Sequence, residues 1–371
     1  TVLKNVRKWI DEHPGGRIIS VTQNDNDRYC KCPKCSALAK KENQSGVMLT
    51  FVNRLADEIA KEYPDVYILT FAYWYTRKPP KTIVPRDNVI IWLCSIECCF
   101  SHRLDDPKCR QNIEFHKDLL DWGKIAKKIY VWDYITDYSS YCLPYPNFHT
   151  MLPNTQFYLD NNVIAIYEEG GYQQRENGEF RALRAYMTAQ MLWNPGMTQQ
   201  EWDAVMQDFL EGYYGRGWKY IYRYIQETSK RMQKQHMRIY YDGTKLFAKN
   251  QKSNTDKAFC DRMKALWDKA EALAVTDREK RHCAASRIQI DMQCLIADRV
   301  ETGKPDPVGN RALWNAMRQA GVKTMREGGD VSCFVRGLDD SVMDNASPNE
   351  LGALGNDDWR AEHHITPKNK L

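Results

Sequence analysis

Acidic residues close several apolar runs in this sequence, and carboxyl groups in such places can donate or accept the proton that cleaves a glycosidic bond. Asp25 lies just past the run 17–22, Glu97 directly follows the run 88–96, and Glu168 and Glu169 follow the run 163–167. Asn24, Tyr73, Tyr75, Arg77, Trp132, Asp133, Tyr134 and Tyr172 stand near these acids in the sequence. Such a mixture suits a sugar, because an apolar sugar face lies on an aromatic ring while the rim hydroxyls reach acids and amides. The expectation is a site with catalytic Glu97, Glu168 and Asp25. Asn24, Tyr73, Tyr75, Arg77, Trp132, Asp133, Tyr134, Glu169 and Tyr172 are expected to contact an oligosaccharide.

Each acid also has an ordinary reading. Asp25 and Asp27 belong to an Asn/Asp cluster of the kind that makes turns. Glu97 is harder to dismiss, because glutamate is a poor turn former and here it follows a buried run. Glu168 and Glu169 are neighbours, so the two-residue period of a strand points one inward and the other away. One of that pair is expected to meet ligand and the other to be structural.

Twelve cysteines are present, eight of them in the first 142 residues. Cys30, Cys32 and Cys35 form a C-x-C-x-x-C cluster, and Cys98 and Cys99 sit at another strand end. That spacing suits zinc. The favoured expectation is nevertheless packing or a disulfide that pins the neighbouring loop, with a catalytic thiol the least favoured. His102, His116 and His149 lack an H-x-x-x-H or H-x-E pairing, and there is no P-loop, G-x-G-x-x-G or G-x-S-x-G motif. Neither a catalytic metal nor a cofactor is expected.

The elements that must position these residues follow from periodicity. Runs 17–22, 66–73, 88–96, 128–134 and 163–167 are apolar in the manner of strands buried on both faces, and they alternate with helical patterns. Met48, Val52, Leu55, Ile59 and Tyr63 recur at helical spacing until Pro64, and Ile113, Leu120 and Ile125 mark another helix. Residues 2–10 also read as a helix. The fold class expected is α/β, the C-terminal part of a TIM-type (β/α)8 barrel with five βα units in view, since conserved barrel geometry puts strand-end residues at the site. An open doubly wound sheet is the alternative.

After about residue 180 helical periodicity takes over, as in Phe259, Met263, Leu266, Ala270 and Leu273, then Ile288, Met292, Leu295 and Ile296. The expected division is a barrel part over 1–180 and a helical region with an irregular tail over 181–371. Residues 302–310 read as a loop, and residues from 337 onward as a polar wrap or frayed tail. Hydrophobic residues make up 43% and charged residues 27% of the chain, and the net charge is +5 without a long basic block. That balance argues against nucleic-acid partners, and no apolar run approaches the roughly 18 residues of a membrane span.

The run 20–25 (SVTQND) with 29–35 (YCKCPKC) resembles the bacterial domain-of-unknown-function family 4838, which overlaps glycoside hydrolase family 163. Later landmarks of similar kind are 73–80 (YWYTRKPP), 93–100 (LCSIECCF), 130–134 (YVWDY) and 167–170 (YEEG), in the same order. The resemblance covers about residues 17–225. It implies a TIM-type barrel preceded by a further domain, endo-β-N-acetylglucosaminidase activity on complex N-glycans, and a secreted, periplasmic or cell-surface bacterial protein. An exported protein would favour a disulfide at the cysteine cluster.

The leading expectation is therefore a retaining, endo-acting glycosidase with Glu97 and Glu168 facing one cleft. A substrate N-acetyl group can replace the enzyme nucleophile in such chemistry. The alternatives are an exo-glycosidase on uronic acids, served by Arg77 and Lys78, and a non-catalytic carbohydrate-binding barrel.

Overall fold

The computed structural model describes residues 1–171, 178–240, 246–247, 256–327 and 329–330. Two compact units divide the chain: residues 1–134 with 153–169, and residues 135–152 with 170–371. The segment 135–152 thus belongs with the C-terminal unit, although it lies inside the span expected to be barrel.

The first unit is an α/β layer with a curled, parallel, five-stranded half-barrel sheet. Its strands β1 (Ile18–Ser20), β2 (Tyr67–Ala72), β3 (Val89–Cys94), β4 (Ile129–Tyr134) and β5 (Val163–Glu169) lie side by side in sequence order. Every neighbouring pair is parallel. Helix α1 (Val2–Glu12) precedes β1, and helices α2 (Pro33–Glu62), α3 (Arg110–Ile125) and α4 (Phe148–Asp160) follow β1, β3 and β4, although α4 begins in the other unit; β2 and β3 are joined by a 3-10 turn, Trp74–Thr76, and an irregular segment.

Local sequence accounts for these choices. Strands such as VIIWLC are built from β-branched and aromatic residues that fit a pleated surface. Pro33 at the first turn of α2 has no amide proton to leave unpaired, and Pro64 follows the end of that helix. Helix α2 kinks at Asn43, whose φ of 68° is non-helical, and the Asn43 side chain donates to the Pro79 carbonyl at 3.0 Å.

Register separates the two faces of the sheet. Ile68, Thr70, Ala72, Val89, Ile91, Leu93, Ile129 and Val131 share one face, and all are buried. On the same side pack Val52, Ala56 and Ile59 of α2 and Phe115, Leu119 and Trp122 of α3, also buried. Helix α3 was legible from Ile113, Leu120 and Ile125, but Ile113 and Leu120 are exposed and Phe115, Leu119 and Trp122 make the core. The aromatic residues define the buried stripe, because they remove more surface from water per residue.

The second unit is mainly helical: α5 (Arg181–Trp193), α6 (Gln199–Tyr214), α7 (Trp218–Met232), α8 (Lys257–Ala272), α9 (Asp277–Thr302) and α10 (Pro307–Ala320), then a short pairing of β6 (Thr324–Arg326) with β7 (Gly329–Asp330). Part of its core gathers Ile288 and Met292 of α9 with Leu313, Trp314 and Met317 of α10. Only residues 303–306 separate α9 from α10, so the expected loop over 302–310 is shorter than its Gly and Pro content implied. Pro307 opens α10 and Gly303 closes α9 at φ 69°, so these residues cap helices. Arg184 ties this unit together, donating to the carbonyls of Ile135 (2.7 Å) and Tyr145 (2.8 Å), to Asn147 Oδ1 (2.6 Å) and to Glu179. The tail expected from residue 337 lies outside the described residues.

Candidate active site

On the opposite face of the sheet, aromatic rings replace the aliphatic packing. Phe71 stands beside Trp92 in register, and Trp132 beside Tyr167. Ring centroids are 5.4 Å apart for Phe71–Trp92, 4.8 Å for Trp92–Trp132 and 4.9 Å for Trp132–Tyr167. Trp92 and Trp132 are half-buried and Tyr167 is exposed, so this face keeps accessible ring surface.

Carboxylates rim that aromatic floor. Tyr134 and Glu169 are register partners on the same face, and the Trp132 indole N–H donates to Glu169 Oε2 at 2.6 Å. The Tyr73 hydroxyl donates to Asp25 Oδ1 at 3.0 Å, and both Asn24 and Asp25 are exposed. Burial, together with the charges of Glu169, Glu97 and Asp25, pushes the Cys94 thiol up. Phe71 also packs edge-on against Tyr73, with ring centroids 6.1 Å apart, so an unbroken row of rings joins Tyr73, the partner of Asp25, to Trp132, the partner of Glu169.

Glu97 has a fixed partner. Arg77, nearly buried, ion-pairs with Glu97, donates to Asp118 Oδ2 at 2.8 Å and reaches Glu114 Oε2 at 3.4 Å. Burial draws the Arg77 guanidinium down, but Glu97 and Asp118 outweigh it and the net shift is upward. Burial pushes Asp118 up in spite of that arginine. The Trp122 indole holds the Arg77 carbonyl at 2.6 Å, so α3 fixes the arginine from both ends.

Glu168 lies elsewhere. It is the register partner of Asp133 on the helix-covered face. Asp133 accepts from Ser95 Oγ (2.5 Å), from the Tyr158 hydroxyl (2.9 Å) and from the Tyr134 amide (2.9 Å), and burial still pushes its carboxyl up. Burial, then the nearby Asp133, drives Glu168 well above the ordinary range. The residue keeps some surface, but its Oε2 is buried without a hydrogen-bond partner among the described residues. Glu97 and Glu168 were expected to share a cleft, whereas register puts Glu169 on the aromatic side and Glu168 beneath it. The two glutamates alternate across the strand as its two-residue period requires, and the register decides which of them joins the rings.

Beside Glu97 opens a cleft of about 780 Å³ whose lining includes Trp74, Tyr75, Arg77, Lys78, Tyr29 and Asn43. Trp74 is 44% exposed, adopts φ 49° and stacks on Tyr73 with ring centroids 5.3 Å apart. A bulky side chain at positive φ is a backbone outlier of the kind that clusters at ligand sites. Residue type singles out Tyr73 and Tyr75, whereas the conformation of Trp74 leaves no signal in the sequence. Tyr172 lies outside the described residues.

Buried Asn112 accepts from the Cys99 amide (2.8 Å) and donates to the carbonyls of Cys99, His102 and Arg103 at 3.0–3.1 Å. Cys99 Sγ lies 3.3 Å from His102 Nδ1, and Cys109 is close by.

The family model described as Domain of unknown function (DUF4838) matches residues 1–226, more than half of the chain. A search of the curated proteins finds no match.

Proposed function

Since the chain belongs to the DUF4838 family, whose description assigns no activity, we propose from its own residues that it is a glycoside hydrolase built on a TIM-type barrel. The observation that carries this reading is a continuous row of aromatic rings from Tyr73 to Trp132, with Asp25 hydrogen-bonded at one end, Glu169 at the other and Glu97 just past the end of β3. Carboxylates and rings together meet the needs of a sugar-cleaving centre, because one group protonates the leaving oxygen while another stabilises the oxocarbenium-like transition state.

In this reading Glu169 is the proton donor and Glu97, held by Arg77, is the anionic partner. Asp25, oriented by Tyr73, holds a substrate polar group, and Trp74 offers a stacking platform. If the substrate carries an N-acetyl group, its carbonyl takes the nucleophile's place. Glu168 and Asp133 act behind the rim as a positioning pair. The resemblance to glycoside hydrolase family 163 supports complex N-glycans as substrate, endo-acting cleavage and an exported protein.

One observation favours a second substrate class: Lys31, Lys40 and Lys78 line the cleft, and ammonium groups suit an anionic sugar such as a uronic acid. Incubating the full chain with released N-glycans and with uronic-acid oligosaccharides, and weighing the products by mass spectrometry, separates the two. Core-cleaved N-glycans are the expected result. Stepwise loss of terminal uronic acid supports the second reading, and no product from either overturns both.

A further inference from the structure

We propose that Cys30, Cys32 and Cys35 form a thiolate site for a soft divalent ion of the zinc class, which pins the loop forming one wall of the cleft. The three sulfurs lie within 4.8 Å of one another. Free cysteine is among the residue types most often buried, and burial alone commonly explains it. That explanation fails here, because Cys30 and Cys32 are exposed and Cys35 only partly covered. A disulfide joins two sulfurs and leaves the third beside it without a role. A metal uses all three.

The distances agree with such a centre. Zinc–sulfur bonds of about 2.3 Å in tetrahedral geometry set sulfurs about 3.8 Å apart, so a spread of at most 4.8 Å closes with small side-chain rotations. Soft thiolates select zinc, cadmium or copper(I) over harder ions. Each thiol gives up its proton to the solvent as its sulfur binds the ion. The fourth position is left to water or an added ligand.

The loop has reason to need the ion. Residues 28–31 carry no regular secondary structure, and the hydrogen bonds that hold them are short-range: the Arg28 amide to Asn26 Oδ1 (2.9 Å), the Tyr29 amide to the Asp27 carbonyl (3.1 Å) and Ser36 Oγ to the Lys31 carbonyl (3.2 Å). Tyr29 nevertheless packs on Tyr75, with ring centroids 5.2 Å apart, and both line the cleft with Lys31 and Arg77. Cys32 caps α2 and Cys35 sits in its first turn, so an ion on these sulfurs fastens the loop to a rigid helix end. This inference stands without the glycosidase reading.

The test uses the full chain, purified under reducing conditions, stripped with a chelator and titrated with Co(II) and with Zn(II). One equivalent of bound ion is expected, with the thiolate-to-cobalt charge-transfer absorption in the near ultraviolet, displaced by zinc. Cys32→Ser and Cys35→Ser should abolish that absorption, and Cys35→His should keep binding with a shifted spectrum. Cys99→Ser should leave it unchanged, which separates this site from the buried Cys99, His102 and Cys109 group. If a serine variant fails to fold, the Cys35→His spectrum and a zinc-dependent rise in the parent's melting temperature carry the decision. The proposal is overturned if the reduced parent shows no thiolate–cobalt band, if Cys99→Ser abolishes it, or if mass analysis of freshly isolated chain finds Cys32 and Cys35 joined as a disulfide.

Discussion

Glu168 and Glu169 are adjacent in sequence, yet the sheet sends them to different surroundings, one beside Asp133 under the helices and one beside Trp132 on the ring face. The consequence for Glu168 is measurable. A buried carboxyl whose proton is held more tightly in the folded than in the unfolded state binds more protons when folded, so stability falls as pH rises. The loss begins near the unfolded value of about 4.3 and continues up to the raised folded value. Glu168→Gln keeps the shape without the titration. Urea melts should therefore show the variant gaining stability over the parent at about pH 8 relative to about pH 4. An equal difference at both pH values would mean that Glu168 is not held neutral. The sequence revealed that the two glutamates point to opposite faces of the strand, but not which one joins the rings, because both neighbours Tyr167 and Gly170 suit either face.

Among the elements, the five strands were all legible, since each is an apolar run ended by polar residues, and the structure reproduces their order and positions. Helix α3 was legible as a helix but its buried face was not, because Asn112 and Asp118 are buried polar residues that break the apolar stripe. Their partners come from the chain ends they hold: Arg77 for Asp118, and the β3–α3 loop for Asn112. Asn112→Ala would leave the Cys99 amide and several loop carbonyls without this partner. The expected cost is about 1–3 kcal/mol per group left buried and unpaired, read as a lower urea midpoint. A midpoint within error of the parent would show that the loop is held by other means. Trp74 was invisible to sequence reading, because a positive φ in tryptophan is imposed by the tertiary environment.

For the whole molecule, the division into two units cuts across the boundary expected near residue 180, since the segment 135–152 returns to the helical unit through Arg184. No hydrophobic period announces that, because the attachment is made by a buried charge with Glu179 and backbone carbonyls. Arg184→Met should cost about 3–5 kcal/mol, the range for orphaning a buried partner. A thermal melt close to the parent's would show that the segment is anchored otherwise. Among the described residues no helix is long and apolar enough to cross a membrane. Which strand-end acids do the chemistry is settled most directly by one comparison of variants. Initial rates of N-glycan cleavage are to be measured for the parent, Glu169→Gln, Glu97→Gln and Glu168→Gln, each shown to fold by thermal melt. Glu169→Gln should lose about 10²- to 10⁴-fold in turnover, the usual worth of a general acid, with Glu97→Gln also strongly impaired and Glu168→Gln closest to the parent. Near-normal turnover in Glu169→Gln, alongside a collapse in Glu168→Gln, would contradict the assignment.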